Sequence, residues 1–146
     1  CGFGNKNFQT DVKNIFDIAG RSMASQMIRL NTVASNLANA GAVTGSKDSA
    51  FRALKPIFET QFADQLKRTG VSTVDVVDVQ PVLREPERVY MPQHPDSDQD
   101  GYVFRAAVDE NEEMVEMLEA SRQYQNNVEV VSTLRSLMMR TISMGK

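Results

Sequence analysis

Apolar residues recur every seven places between Asp109 and Met144. Met117, Tyr124, Val131 and Met138 form one row; Met114, Val128 and Ile142 form a second, three residues earlier, interrupted by Ser121 and Arg135. Two offset rows with a period of seven are the seam of a helix that packs against other helices. The stretch has neither Pro nor Gly. Asp109 is placed to cap it, with Glu112 in the capping-box position. Glutamates 110, 112, 113, 116 and 119 crowd its first turns, and Arg135, Arg140 and Lys146 lie near its end, the order that the helix dipole favours. At about 1.5 Å per residue it is roughly 50 Å long, more than a chain of this size covers without a partner of similar length.

A second heptad row lies near the start. Phe16, Met23, Leu30 and Leu37 are seven apart, flanked by Ala19, Met27, Val33 and Ala34; Asp11 precedes them as a cap, and Gly41 and Gly45 follow. The fold class expected is α+β. Long terminal helices, residues 14–40 and 109–146, pair as an antiparallel coiled coil, and residues 41–108 form a small β-rich module. Residues 1–13, with Gly2 and Gly4 and no period, read as a flexible leader. Antiparallel order follows because one compact module joins Asn39 to Asp109 and keeps those helix ends close. Asn31, Ser35, Asn36 and Asn39, with Gln123, Gln125, Asn126 and Asn127, lie on or beside the apolar stripes. They fit either a solvated flank or amides that fix helix register.

The middle module changes the period from seven to two. Val71, Val74, Val76, Val77, Val79 and Val82 partly alternate with polar residues, and Phe58 and Phe62 mark another strand around 56–63. All five prolines fall here, which suits edges and turns. The segment from Tyr90 to Val103 reads as a hairpin turn with an acidic tip. Asp96, Asp98, Asp100 and Gly101 imitate the opening of a calcium loop, but the twelfth position, where a bidentate Glu belongs, is Ala107.

Composition narrows the function. The net charge is −3, which gives no basis for nucleic-acid binding. No apolar run approaches a membrane span of about 18 residues, and no secretory signal pattern is present. The single cysteine, Cys1, excludes an internal disulfide; it fits a lipid-modified or a trimmed terminus. No nucleophile motif, phosphate loop or zinc signature occurs. His94 lacks partner ligands. The expectation is a protein that is not an enzyme, with no cofactor, no metal and no small-molecule substrate.

Ala34-Ser35-Asn36-Leu37-Ala38-Asn39 resembles the A-S-N-L-A-N signature of bacterial flagellar rod and hook proteins. Phe16-Asp17-Ile18-Ala19-Gly20, Val43-Thr44-Gly45, the His94-Pro95-Asp96-Ser97-Asp98 loop with Gly101-Tyr102-Val103, and the run from Glu113 to Val130 resemble the proximal-rod branch of that family. The resemblance covers residues ~15–146. The chain departs from it in its longer leader and in Arg105-Ala106-Ala107-Val108-Asp109, where P-N-V-D is common.

The resemblance implies a structural subunit of the basal-body rod, part of the drive shaft that carries torque from the membrane ring to the distal rod and hook. The terminal helices would form an inner tube and the middle module an outer layer. The implied partners are proximal and distal rod subunits, the rod–membrane-ring adaptor and the MS ring. Export would use the flagellar type III apparatus without a cleaved signal peptide, with Phe8 and Val12 as a candidate export motif. The alternative is a non-catalytic coiled-coil adaptor that binds partner helices. Within the subunit, Phe16, Met23, Leu30 and Leu37 are expected to face Met117, Tyr124, Val131 and Met138. Met27, Asn31, Asn36, Asn39, Gln125, Asn126, Val130, Leu134 and Leu137 are left for contacts between subunits. With Ala107 where a ligand belongs, a calcium titration followed by thermal melting should leave the melting temperature unchanged; a large shift at sub-millimolar calcium would overturn this reading.

Overall fold

The computed structural model describes residues 3–61 and 73–144, with side chains described over 11–59 and 75–144. Two long helices dominate. α1 spans Phe3–Asn39 and α2 spans Glu110–Met144. They run antiparallel: Ser22 meets Asn127, Gln26 meets Gln123, and Asn36 meets Glu113. As the residue number rises along α1, it falls in step along α2.

α1 starts at Phe3, so residues 3–13 are helix rather than the flexible leader expected. Once the packed part of a helix exists, each added residue brings one hydrogen bond at little further cost, and a lone Gly4 does not stop it. The start of α2 follows the capping expectation in part. Asp109 Oδ1 accepts the N–H groups of Asn111 and Glu112. Glu112 does not return to Asp109; its carboxylate takes the Arg84 guanidinium at 3.0 Å.

Between the helices lie two small antiparallel sheets. β1 (Val43–Thr44), β5 (Tyr102–Arg105) and β4 (Glu87–Tyr90) form one, in the order β1-β5-β4. β2 (Leu54–Gln61) and β3 (Thr73–Pro81) form a two-stranded ribbon with a bulge between Ile57 and Phe58. These are the strands the alternating pattern predicts; Phe62 and Val71 lie outside the described residues. β4 and β5 form the expected hairpin. The Asp98 carboxylate closes its turn by accepting the N–H groups of Asp100 and Tyr102, and those bonds hold its pKa below the ordinary value. Gly101 sits there at φ +86°, where an added Cβ would press on Tyr90 and Pro92.

The core is built from small residues. Val103, Ala50, Ala53, Ala106 and Ala107 are buried. Ala106 N–H reaches Ala42 O, Ala107 N–H reaches Phe51 O, and Ala53 N–H reaches Ala107 O. These bonds strap the end of α1, the lead-in to β2 and the lead-in to α2 into one joint.

Asn36 locks that joint. Its amide oxygen accepts Leu54 N–H at 2.9 Å, and its Nδ2 donates to Leu54 O at 2.9 Å and to Glu113 at 3.1 Å. The residue is 1% exposed, and its side chain completes the backbone pairing at the first residue of β2. Asn36→Ala should therefore cost about 3 kcal/mol, because it leaves two backbone groups without partners. Urea unfolding reads this directly; an unchanged midpoint would show that Leu54 finds its bonds elsewhere.

Candidate assembly surface

The candidate feature is a surface that begins at the helix seam. Along α1 the buried row is Val12, Ala19, Gln26 and Val33, continued by Ala40 just past its end, each seven residues from the next. The expected row of Phe16, Met23, Leu30 and Leu37 lies four residues on and is half-buried. Small residues let the helices approach closely, and the large ones stand at the shoulders. On α2, Ala120 is fully buried. Met117, Tyr124 and Val131 are half-buried, whereas Met138 is exposed.

The seam is polar as well as narrow. Asn127 donates to Ser22 Oγ at 2.8 Å, and Gln26 donates to Gln123 at 2.9 Å. Arg29 bridges Glu116 at 2.6 Å and Glu119 at 3.2 Å. The amides thus tie helices together, but within one subunit. Asn36, expected between subunits, is spent inside its own chain, and Asn39 donates to Ser35 O one turn back. Asn31, Gln125 and Asn126 are exposed.

Pairing leaves much apolar surface open. Met27, Val130 and Leu137 are exposed, and Leu134 is half-buried. Periodicity did not single out Val115, Leu118, Met139 or the loop residue Leu83, all more than half exposed. The glutamate-rich start of α2 hid the first two. Of the candidate export pair, Val12 is buried in the seam row, and the Phe8 side chain lies outside those described.

Where α1, β2 and α2 meet, a cleft of about 580 Å³ opens. Its floor includes Val33, Leu54, Pro56 and Val82, and its rim carries Arg29, Arg84 and Glu113. Burial, only partly offset by the Asn36 hydrogen bond, pushes the Glu113 carboxyl above its ordinary value of 4.5; Glu112 and Glu116 push the same way and Arg84 opposes them. A raised folded-state pKa gives stability that is full below 4.5 and is lost as pH rises through the folded value. At neutral pH the charge is a cost. Glu113→Gln keeps an oxygen for Asn36 and removes that charge. The variant should melt higher than the parent at pH 7, with the gap narrowing as pH falls toward 5; a constant gap would count against the titration.

Comparison with known proteins identifies the family. The family model described as "Flagella basal body rod protein" matches residues 16–47. "Flagellar basal body rod FlgEFG protein C-terminal" matches residues 99–144. Together they span the C-terminal two thirds of α1 and all of α2. The chain is 43% identical over 134 residues to the flagellar basal-body rod protein FlgC of Salmonella typhimurium, covering 91% of this chain and 97% of the relative. It is 43% identical to FlgC of Escherichia coli O6:H1 with the same coverage. It is 34% identical to FlgC of Aquifex aeolicus, covering 93% and 98%. The chain belongs to the FlgC family of flagellar basal-body rod proteins.

Proposed function

We propose that this protein is a structural subunit of the flagellar basal-body rod and acts through contacts between helices. The observation that carries the proposal is the surplus of apolar surface. After α1 and α2 pair, α2 still exposes Met114, Val115 and Leu118 near its start and Leu137, Met139 and Ile142 near its end. A helix that is apolar on more than one side is normally covered on more than one side. Repeated neighbours in a tube provide that cover, and the relatives are named as rod proteins rather than enzymes.

In this reading the helix pair forms the inner layer, and the module of residues 41–108 lies outside it. Met27, Asn31, Gln125, Asn126, Val130, Leu134 and Leu137 meet neighbouring subunits. Those neighbours are proximal and distal rod proteins, with the rod–membrane-ring adaptor and the MS ring at the base. The location is the basal body, where the assembled shaft carries torque across the periplasm. Export proceeds through the flagellar type III apparatus. No described helix is long and apolar enough to cross a membrane. An adaptor that binds one partner helix explains less, because it needs one open face and α2 has several.

Two variants separate folding from assembly. Val33→Asp places a charge in the buried seam and should cost several kcal/mol, unfolding the subunit. Met27→Asp together with Leu137→Asp changes exposed positions; it should leave circular dichroism near that of the parent while abolishing motility and recovery of the chain in purified basal bodies. A motile strain carrying the second pair, with normal basal bodies, would overturn the proposal.

A further inference from the structure

The β2–β3 ribbon is a two-stranded sheet among the described residues, so each strand presents an edge with no strand beside it. Along an antiparallel strand the backbone groups point alternately across to the partner and out to the edge. The Val82 N–H donates to Ala53 O at 2.7 Å, one step beyond the Leu54–Pro81 pair. That bond fixes the phase. In the Leu54–Pro81 and Pro56–Val79 pairs the backbone groups therefore face outward, away from the partner strand.

None of these four positions offers an open outward donor. Pro56 and Pro81 have no N–H. The Leu54 N–H is taken by Asn36. The Val79 N–H donates to Asp78 Oδ1 at 2.8 Å. Asp78 Oδ2 accepts Gln80 Nε2 at 3.0 Å, so the carboxylate is held at both oxygens. A carboxylate only accepts hydrogen bonds. It uses up the donor that an added strand's carbonyl would need, and it sets a negative charge where that carbonyl would arrive.

The strand behind this guard is one that would pair with its own copy. β3 reads Thr-Val-Asp-Val-Val-Asp-Val-Gln before Pro81, with four valines and no Gly. Val77 is 50% exposed and Val79 39%. An exposed, valine-rich edge is a template for a further strand unless charge, proline or a covered donor prevents it. We propose that Asp78 closes the β3 edge against strand addition by β3 of a second copy of this chain. The guard acts in the free subunit, whatever assembly that subunit later joins. Its effect is to leave helix contacts as the route by which copies associate.

Light scattering across a concentration series, with amide exchange at Val79, tests this on the purified full chain. Asp78→Val removes the acceptor and keeps the strand preference. In dilute solution its Val79 amide should exchange about tenfold faster than the parent's, the effect of losing one hydrogen bond to a charged group. On concentration the variant should associate and regain protection at Val79. Asp78→Asn keeps an acceptor oxygen and should match the parent. Asp75→Val removes a carboxylate from the same strand but leaves the Val79 bond in place, and should also match. Pro81→Thr opens the next outward N–H with Asp78 intact; it should shift association the same way, and it supplies the reading if Asp78→Val loses the parent's circular dichroism. If both Asp78→Val and Pro81→Thr keep the parent's size at every concentration, there is nothing to guard against and the proposal falls. It falls equally if Asp75→Val associates as strongly as Asp78→Val, or if the new protection appears outside β3.

Discussion

The side-chain amide of Asn36 holds the architecture together. It mimics a strand partner for Leu54 and at the same time bonds Glu113 on the opposing helix. One residue thereby sets where the ribbon begins, how it leaves the helix pair, and how the two helices are aligned at that end. An aliphatic residue here would fill space but leave the Leu54 backbone without partners. The small residues around it have the same consequence: Ala50, Ala53, Ala106 and Ala107 let three chain segments pass close enough for backbone hydrogen bonds.

The seam that extends from this joint is specific more than it is strong. Its buried α1 row mixes valine and alanine with Gln26, and its α2 side has only Ala120 fully covered. Burying a methyl contributes far less than burying leucine or phenylalanine. The polar rungs contribute modest net stability each but penalise every misalignment, as a buried asparagine does in a coiled coil. A subunit built this way buries little apolar side chain of its own. This agrees with the amount of apolar side chain still exposed on α2.

Much of this was legible in the sequence, and the reasons differ by element. The two helices announced themselves because heptad spacing survives any tertiary context, and the ribbon because valines alternate. Antiparallel order followed from the size of the connecting module. Which row would be innermost was not legible. Hydrophobic spacing gives weight to Phe16, Met23, Leu30 and Leu37, whereas close approach selects Ala19, Gln26 and Ala40, which carry little or no apolar signal. Glycines suggested a loose leader, yet the helix runs on because nothing in residues 3–13 breaks it. Glu112 looked like a capping partner until Arg84, 28 residues away in the chain, proved the stronger attraction. Leu83 left no trace at all, since an isolated leucine in a loop has no period.

The parallel rungs have a mechanical consequence. Ser22–Asn127, Gln26–Gln123, Arg29–Glu116 and Asn36–Glu113 lie across the helix axis, spaced along about 20 Å of it. A force that slides one helix past the other loads all four together, so none fails before the rest begin to carry. A greasy seam deforms gradually under shear, whereas this one resists until the rungs break as a group. The helix pair is keyed like a beam, with sliding opposed at four points at once.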